Sequence, residues 1–133
     1  MNALIEKNAG LLDLIGRIFL SVVFIVAGVA KIGSYEQTAG WMESMGVPGF
    51  LLPLVIITEV VFPILFLIGW KTRLWAFLLA GFCVLTGVIF HFDPGNQGQM
   101  TQLFKNLAIG GGFIAYMVHG AGSISLDERA KAG

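Results

Sequence analysis

Between Val47 and Gly69 the chain carries a single ionisable side chain, Glu59. At about 1.5 Å per residue, a helix over residues 47–69 is roughly 34 Å long, enough to cross about 30 Å of hydrocarbon. A carboxyl group at that depth costs on the order of 2.5–3.5 kcal/mol on insertion scales, so it has to face protein or water and find a partner. No other feature constrains the fold as much, because it demands a second polar residue at matching depth on another helix.

Three further segments read as spans: residues 11–32, 72–92 and 101–119. The chain is 56% hydrophobic and 12% charged, with a mean hydropathy of +0.84. A soluble domain carries about twice that charge, and too little polar surface is left to cover four such segments. The expectation is one domain over residues 1–133, an all-α integral membrane protein built as a four-transmembrane-helix bundle in the lipid bilayer. A secretory leader is the rival reading of the first segment, since Arg17, the apolar run 18–30 and Gly28-Val29-Ala30 fit that pattern loosely. Eight basic residues balance eight acidic ones, which leaves no basic stripe for nucleic acid. The lone Cys83 excludes an intrachain disulfide or a CxxC pair, and its mid-span position reads as inert. His91 and Asp93 lack further ligands at recognisable spacing, so no metal site is expected.

With four spans, both termini and the middle loop share one side. That side holds Lys7, Arg17, Lys71, Arg73, Arg129 and Lys131, six of the eight basic residues. The positive-inside rule therefore puts both termini in the cytoplasm. On the outer side, residues 34–46 place Tyr35, Thr38, Ala39, Met42 and Met45 at helical spacing. They read as a short interfacial helix between the first two spans, anchored by Trp41. Residues 93–99 read as a turn with a polar lead into the fourth span, residues 120–133 as a cytoplasmic tail, and residues 127–133 within it as solvated.

Counted from the span ends, Glu59 lies about 15 Å in from Gly69, Arg17 about 9 Å from Leu11, and Lys105 about 6 Å from the outer end. The depth difference from Glu59 is about 6 Å for Arg17 and about 12 Å for Lys105, which favours an Arg17–Glu59 ion pair. Pro63 strengthens the case for a polar centre, since it lacks the N–H that would bond the Glu59 carbonyl; Thr58 or another helix is expected to satisfy it. A second cluster gathers toward the outer leaflet: Lys31, His91, Lys105 and Asn106, with Asp93 nearby. Lys105, Ala108, Gly112 and Tyr116 share one face of the fourth helix. A cleft lined by His91, Lys105 and aromatic rings suits a flat carbonyl-bearing ligand, since His and Lys donate to carbonyl oxygens. The plainer readings are a structural ion pair that sets helix register, snorkelling lysines and an interfacial histidine.

Several elements together carry a resemblance: Gly16-Arg17-Ile18, Gly28-Val-Ala-Lys31, Met45-Gly46-Val47-Pro48, Glu59, Gly-Trp-Lys-Thr-Arg73, His91, Lys105-Asn106 and Gly120-Ala-Gly-Ser-Ile-Ser-Leu-Asp127. Over residues 11–129 the chain resembles the DoxX family, most of all its small branch in the bacterial plasma (inner) membrane. The resemblance implies a four-helix membrane bundle. It also implies association with quinone-linked oxidoreductases, such as the small subunit in thiosulfate:quinone oxidation, and with redox or thiol-stress complexes.

The resulting expectation is a quinone-linked accessory subunit or quinone binder. Arg17 and Glu59 hold the bundle and relay a proton, while His91, Lys105, Asn106, Lys31 and Tyr116 contact the ligand. No covalent cofactor is expected. Chemistry beyond proton transfer needs a bound quinone, or a soluble or membrane redox partner that carries a cofactor. A small proton-coupled transporter acting as a homo-oligomer, with Glu59 as its proton-binding carboxylate, and a non-catalytic scaffold for a soluble redox enzyme are the alternatives.

Overall fold

In a membrane the outward face of a helix is free to be apolar, and its inward stripe becomes the place for small and polar side chains. The second helix of this protein shows that inversion. Its buried residues are Arg17, Ser21, Phe24 and Gly28, one every three or four positions, while Phe19, Val22, Val26 and Val29 point outward and are exposed. The computed structural model describes residues 1–132. Its order is α1 (Asn2–Lys7), α2 (Ala9–Gly33), α3 (Tyr35–Ser44), a 3-10 turn (Gly49–Leu51), α4 (Leu52–Ile68), α5 (Thr72–His91), α6 (Gln97–His119) and α7 (Leu126–Ala132), with no strand among the described residues.

Three of these segments are long and apolar enough to cross a membrane: Ala9–Gly33, Gly49–Ile68 and Thr72–His91. The helix α6 matches them in length with 23 residues, but Gln97, Gln99, Gln102, Lys105 and Asn106 make its first half polar. It begins at Gln97 rather than Thr101, because the Asn96 side chain accepts the Gln99 N–H at 3.1 Å and caps the helix four residues early.

Long helices pair as neighbours, α5 on α6 and α2 on α4, and α4 joins the two pairs through α5. The shared core is Phe24, Phe66, Ala76, Leu79, Ala80, Cys83 and Phe113. Its rings meet edge-on or tilted: Phe66 lies 5.1 Å from Phe113 and Phe24 lies 5.7 Å from it, within the range where aromatic pairs add to simple burial. Gly110 of α6 is buried against α5, where a Cβ would meet the Cys83 Cβ at an ordinary contact distance of 3.5 Å.

Pro63 sits inside α4 without ending it. Thr58 is not drawn to the position the proline opens; its hydroxyl donates to the Leu54 carbonyl at 2.8 Å. The Ser21 hydroxyl reaches across from α2 and donates to the carbonyl of Pro63 itself, at 3.2 Å. The helix ends at Gly69, whose φ of 76° is the left-handed cap; Trp70 N–H bonds the Leu65 carbonyl at 3.2 Å and Gly69 N–H the Phe66 carbonyl at 3.1 Å.

The chain end folds back onto the bundle at Asp127. Asp127 N–H donates to the Gly69 carbonyl at 2.8 Å, and the Asp127 carboxylate accepts from Lys71 N–H, Thr72 N–H and the Thr72 hydroxyl at 2.7, 2.9 and 2.7 Å. The start of α5 has free N–H groups, and a carboxylate is the natural acceptor for them. The tail therefore latches onto the α4–α5 turn, and α7 follows from that point.

Candidate functional site

Two polar centres lie at opposite ends of the bundle, separated along α2 by 14 residues, or about 21 Å. The one away from the termini is built on Glu59. This residue of α4 is buried, and its carboxylate takes both of its close contacts from Lys31 Nζ on α2, at 3.0 and 2.8 Å. The close approach of the helices is made by Gly28, one turn before Lys31. A Cβ there would lie 2.6 Å from Val60 Cγ2 and 3.0 Å from Glu59 Cβ.

Lys31 and Glu59 line a cavity of about 110 Å³ together with Thr38, Trp41 and Met42 of α3, Val55 of α4, and Phe82, Thr86, Phe90 and His91 of α5. The Trp41 ring stacks on Phe90 at 4.9 Å and lies 6.3 Å from the His91 ring. His91 Nδ1 is 2.7 Å from Gln99 Oε1 at the start of α6. Asn106 does not line the cavity, but its Nδ2 donates to the Cys83 carbonyl at 3.2 Å and to Thr86 Oγ1 at 3.3 Å. It therefore ties α6 to the wall that carries Thr86.

The second centre is built on Arg17, which is fully buried. Its Nε pairs with Asp13 Oδ2 at 2.9 Å, and its other nitrogens donate to the carbonyls of Leu67 and Ile124. Asp13 also accepts the Gly122 N–H at 2.8 Å, and its carbonyl accepts the Tyr116 hydroxyl at 2.8 Å. One guanidinium thus joins α2, the carboxyl end of α4 and the incoming tail, with its positive charge on the negative end of a helix.

The expected Arg17–Glu59 pair does not form. Depths counted from assumed span ends missed the register of two antiparallel helices. Ser21 faces Pro63, so Arg17, one turn earlier, faces Leu67. Leu67 is eight residues from Glu59, or about 12 Å, beyond the reach of a guanidinium. Of the expected ligand contacts, the cavity brings together Lys31 and His91. Lys105 is exposed and turned off it, being one residue, about 100°, around α6 from Asn106. Tyr116 belongs to the Arg17 centre. Asp13 was missed by the sequence reading, although its position one helical turn before Arg17 signals a same-face partner. Among the described residues no group of three or more His, Cys, Asp or Glu side chains is placed to hold a metal ion.

Helices with apolar outward faces, joined by buried polar centres, define a multi-helix membrane protein with a small, mostly apolar cavity that an ion pair shares with aromatic rings. The DoxX family profile matches residues 12–92, and the chain belongs to the DoxX family. It is 42% identical to the inner membrane protein YqjF of Escherichia coli (strain K12) over 115 residues, covering 86% of this chain and 88% of that one. It is 34% identical to the inner membrane protein YphA of the same organism over 123 residues, covering 87% and 88%. No solved structure gives a significant match.

Proposed function

We propose that α6 is a fourth span, that both termini face the cytoplasm, and that α3 lies at the outer interface over the Glu59 cavity. On this reading the cavity takes the head group of a lipid-soluble quinone, and the chain serves as the membrane subunit of a quinone-linked redox assembly. The observation that carries the reading is the Lys31–Glu59 pair set into the wall of an aromatic cavity that His91 shares. A volume of about 110 Å³ is below the roughly 300–1,000 Å³ of sites that enclose a whole drug-sized ligand. It suits one ring, with a lipid tail left in the bilayer.

A bound quinone would supply the electron chemistry that no side chain here can. Trp41 and Phe90, stacked on each other, give the cavity an aromatic wall against which the ring can pack. Lys31 is a donor whose charge Glu59 balances, and an imidazole N–H such as that of His91 can donate to a carbonyl oxygen. Glu59 can hold or release a proton beside them, at the price of leaving Lys31 unbalanced. The test is mass spectrometry of an organic extract from gently purified protein, comparing wild type, His91→Ala and Lys105→Ala. A stoichiometric quinone in wild type and Lys105→Ala, lost from His91→Ala, is the expected result. Bulk phospholipid alone in all three overturns the reading.

A further inference from the structure

At the end of the bundle that carries the termini, a second cavity of about 290 Å³ lies between the start of α5, the end of α6 and α7. Its basic lining residues come from three elements: Lys71 and Arg73, then His119, then Lys131. They are 60 residues apart at the extremes of the sequence and meet only because the tail folds back onto the α4–α5 turn.

The local backbone is shaped around this convergence. Lys71 has a φ of 51°, uncommon for a residue with a side chain, and is held there as Asp127 Oδ1 accepts its N–H at 2.7 Å. Gly120 has a φ of 72°, and a Cβ there would come within 3.1 Å of Arg73 Nε. The guanidinium thus lies against a stretch of chain that glycine alone leaves open.

The acidic residues on the wall are already engaged. Asp127 accepts from Lys71 and Thr72, and Glu128 pairs with Lys131 at 3.0 Å. The three ion pairs among the described residues are Asp13–Arg17, Glu59–Lys31 and Glu128–Lys131, so none of them uses Arg73 or Lys71. Lys71 Nζ instead sits 5.0 Å over the Trp70 ring, a residue type that settles at the head-group level of a bilayer. The apolar Leu74 also lines the cavity and is exposed.

We propose that this cavity binds a phosphate-bearing anion at head-group level, with Arg73 and His119 as its donors and Lys71 as supporting charge. A guanidinium matches phosphate oxygens in a fork, and basic pockets between membrane helices bind anionic head groups. The same chemistry serves a phospholipid head group or a soluble phosphate.

Full-length protein, delipidated in detergent, distinguishes the two. Native mass spectrometry with phosphatidylglycerol and with phosphatidylcholine reads lipid binding, and thermal shift with inorganic phosphate reads the soluble anion. The variants are Arg73→Gln, His119→Gln and, as a control for loss of one exposed positive charge, Lys7→Gln. Phosphatidylglycerol should bind wild type and Lys7→Gln alike, and each pocket variant about tenfold more weakly, the effect of losing roughly one charged contact. Stabilisation of wild type by phosphate alone, absent in Arg73→Gln, assigns a soluble anion to the same residues. Equal phosphatidylglycerol binding by wild type and both pocket variants overturns the proposal. So does an equal loss in Lys7→Gln, which would reduce the effect to overall charge. His119→Gln keeps the test intact if Arg73→Gln fails to fold.

Discussion

Lys31 and Glu59 are unequal partners. The Lys31 side chain is 26% exposed and that of Glu59 only 8%. Without its carboxylate the lysine can turn toward the interface along its flexible stem; without its lysine the carboxylate has nowhere to go. Lys31→Met should therefore destabilise the bundle more than Glu59→Gln, by about 1–3 kcal/mol for a stranded buried group. The double variant should recover part of that loss. Unfolding in mixed detergent micelles reads all three, and equal losses for the two single variants would remove the asymmetry argued here. Arg17 is more demanding still. Arg17→Ala leaves two carbonyls without their donor and Asp13 with the Gly122 N–H alone, and breaking a buried pair of this kind costs about 3–5 kcal/mol. A melting temperature in detergent unchanged from wild type would mean that Arg17 does not join the helices as described. The need for buried partners was legible in single residues such as Arg17 and Glu59. Which residue met which was not, because depths counted along single helices do not fix how one helix slides against another.

At the scale of the element, Gly28 and Asp127 decide how the helices meet. Gly28→Ala places a methyl group 2.6 Å from Val60 Cγ2, so α2 must move off α4 or Val60 must shift. Overpacking of this kind costs about 1–3 kcal/mol, and it should also open the Lys31–Glu59 pair, which thermal unfolding of Gly28→Ala in the Lys31→Met background tests by non-additivity. Asp127 latches the tail. Partial burial acts to raise its carboxyl, but hydrogen bonds from the Thr72 hydroxyl, Thr72 N–H and Lys71 N–H outweigh that and hold it below the ordinary carboxylate range. In the unfolded chain it titrates at the ordinary aspartate pKa. Its stabilisation is therefore fully present above that pH and is lost as pH falls through the lower folded value. Asp127→Ala should lower stability at neutral pH by about 0.5–2 kcal/mol, as for a lost helix cap, and should flatten the acid limb of a stability–pH profile. The extents of α2 and α5, Ala9–Gly33 and Thr72–His91, were readable from apolar runs closed by charged residues and turns. The latch was not, since its partners lie 55 residues apart.

For the whole molecule, the proposed topology has a direct test. In a Cys83→Ala background, Gln37→Cys on α3 should react with a membrane-impermeant thiol reagent in intact cells, while Lys7→Cys should react only after permeabilisation. Labelling of both from outside would reject a bundle with both termini in the cytoplasm. What residue order determined by itself is the solvent and the secondary structure: apolar runs of helical length, an inward stripe of small and polar residues, and the demand for buried partners all follow from properties each residue carries alone. What the tertiary structure decided is the pairing. Ser21 on the Pro63 carbonyl and the missing side chain at Gly28 set how far α2 slides and turns against α4. That slide sends Glu59 to Lys31 and Arg17 to Asp13 and the helix end. Hydropathy is additive along one helix, whereas the relative shift of two helices depends on contacts between residues far apart in the chain.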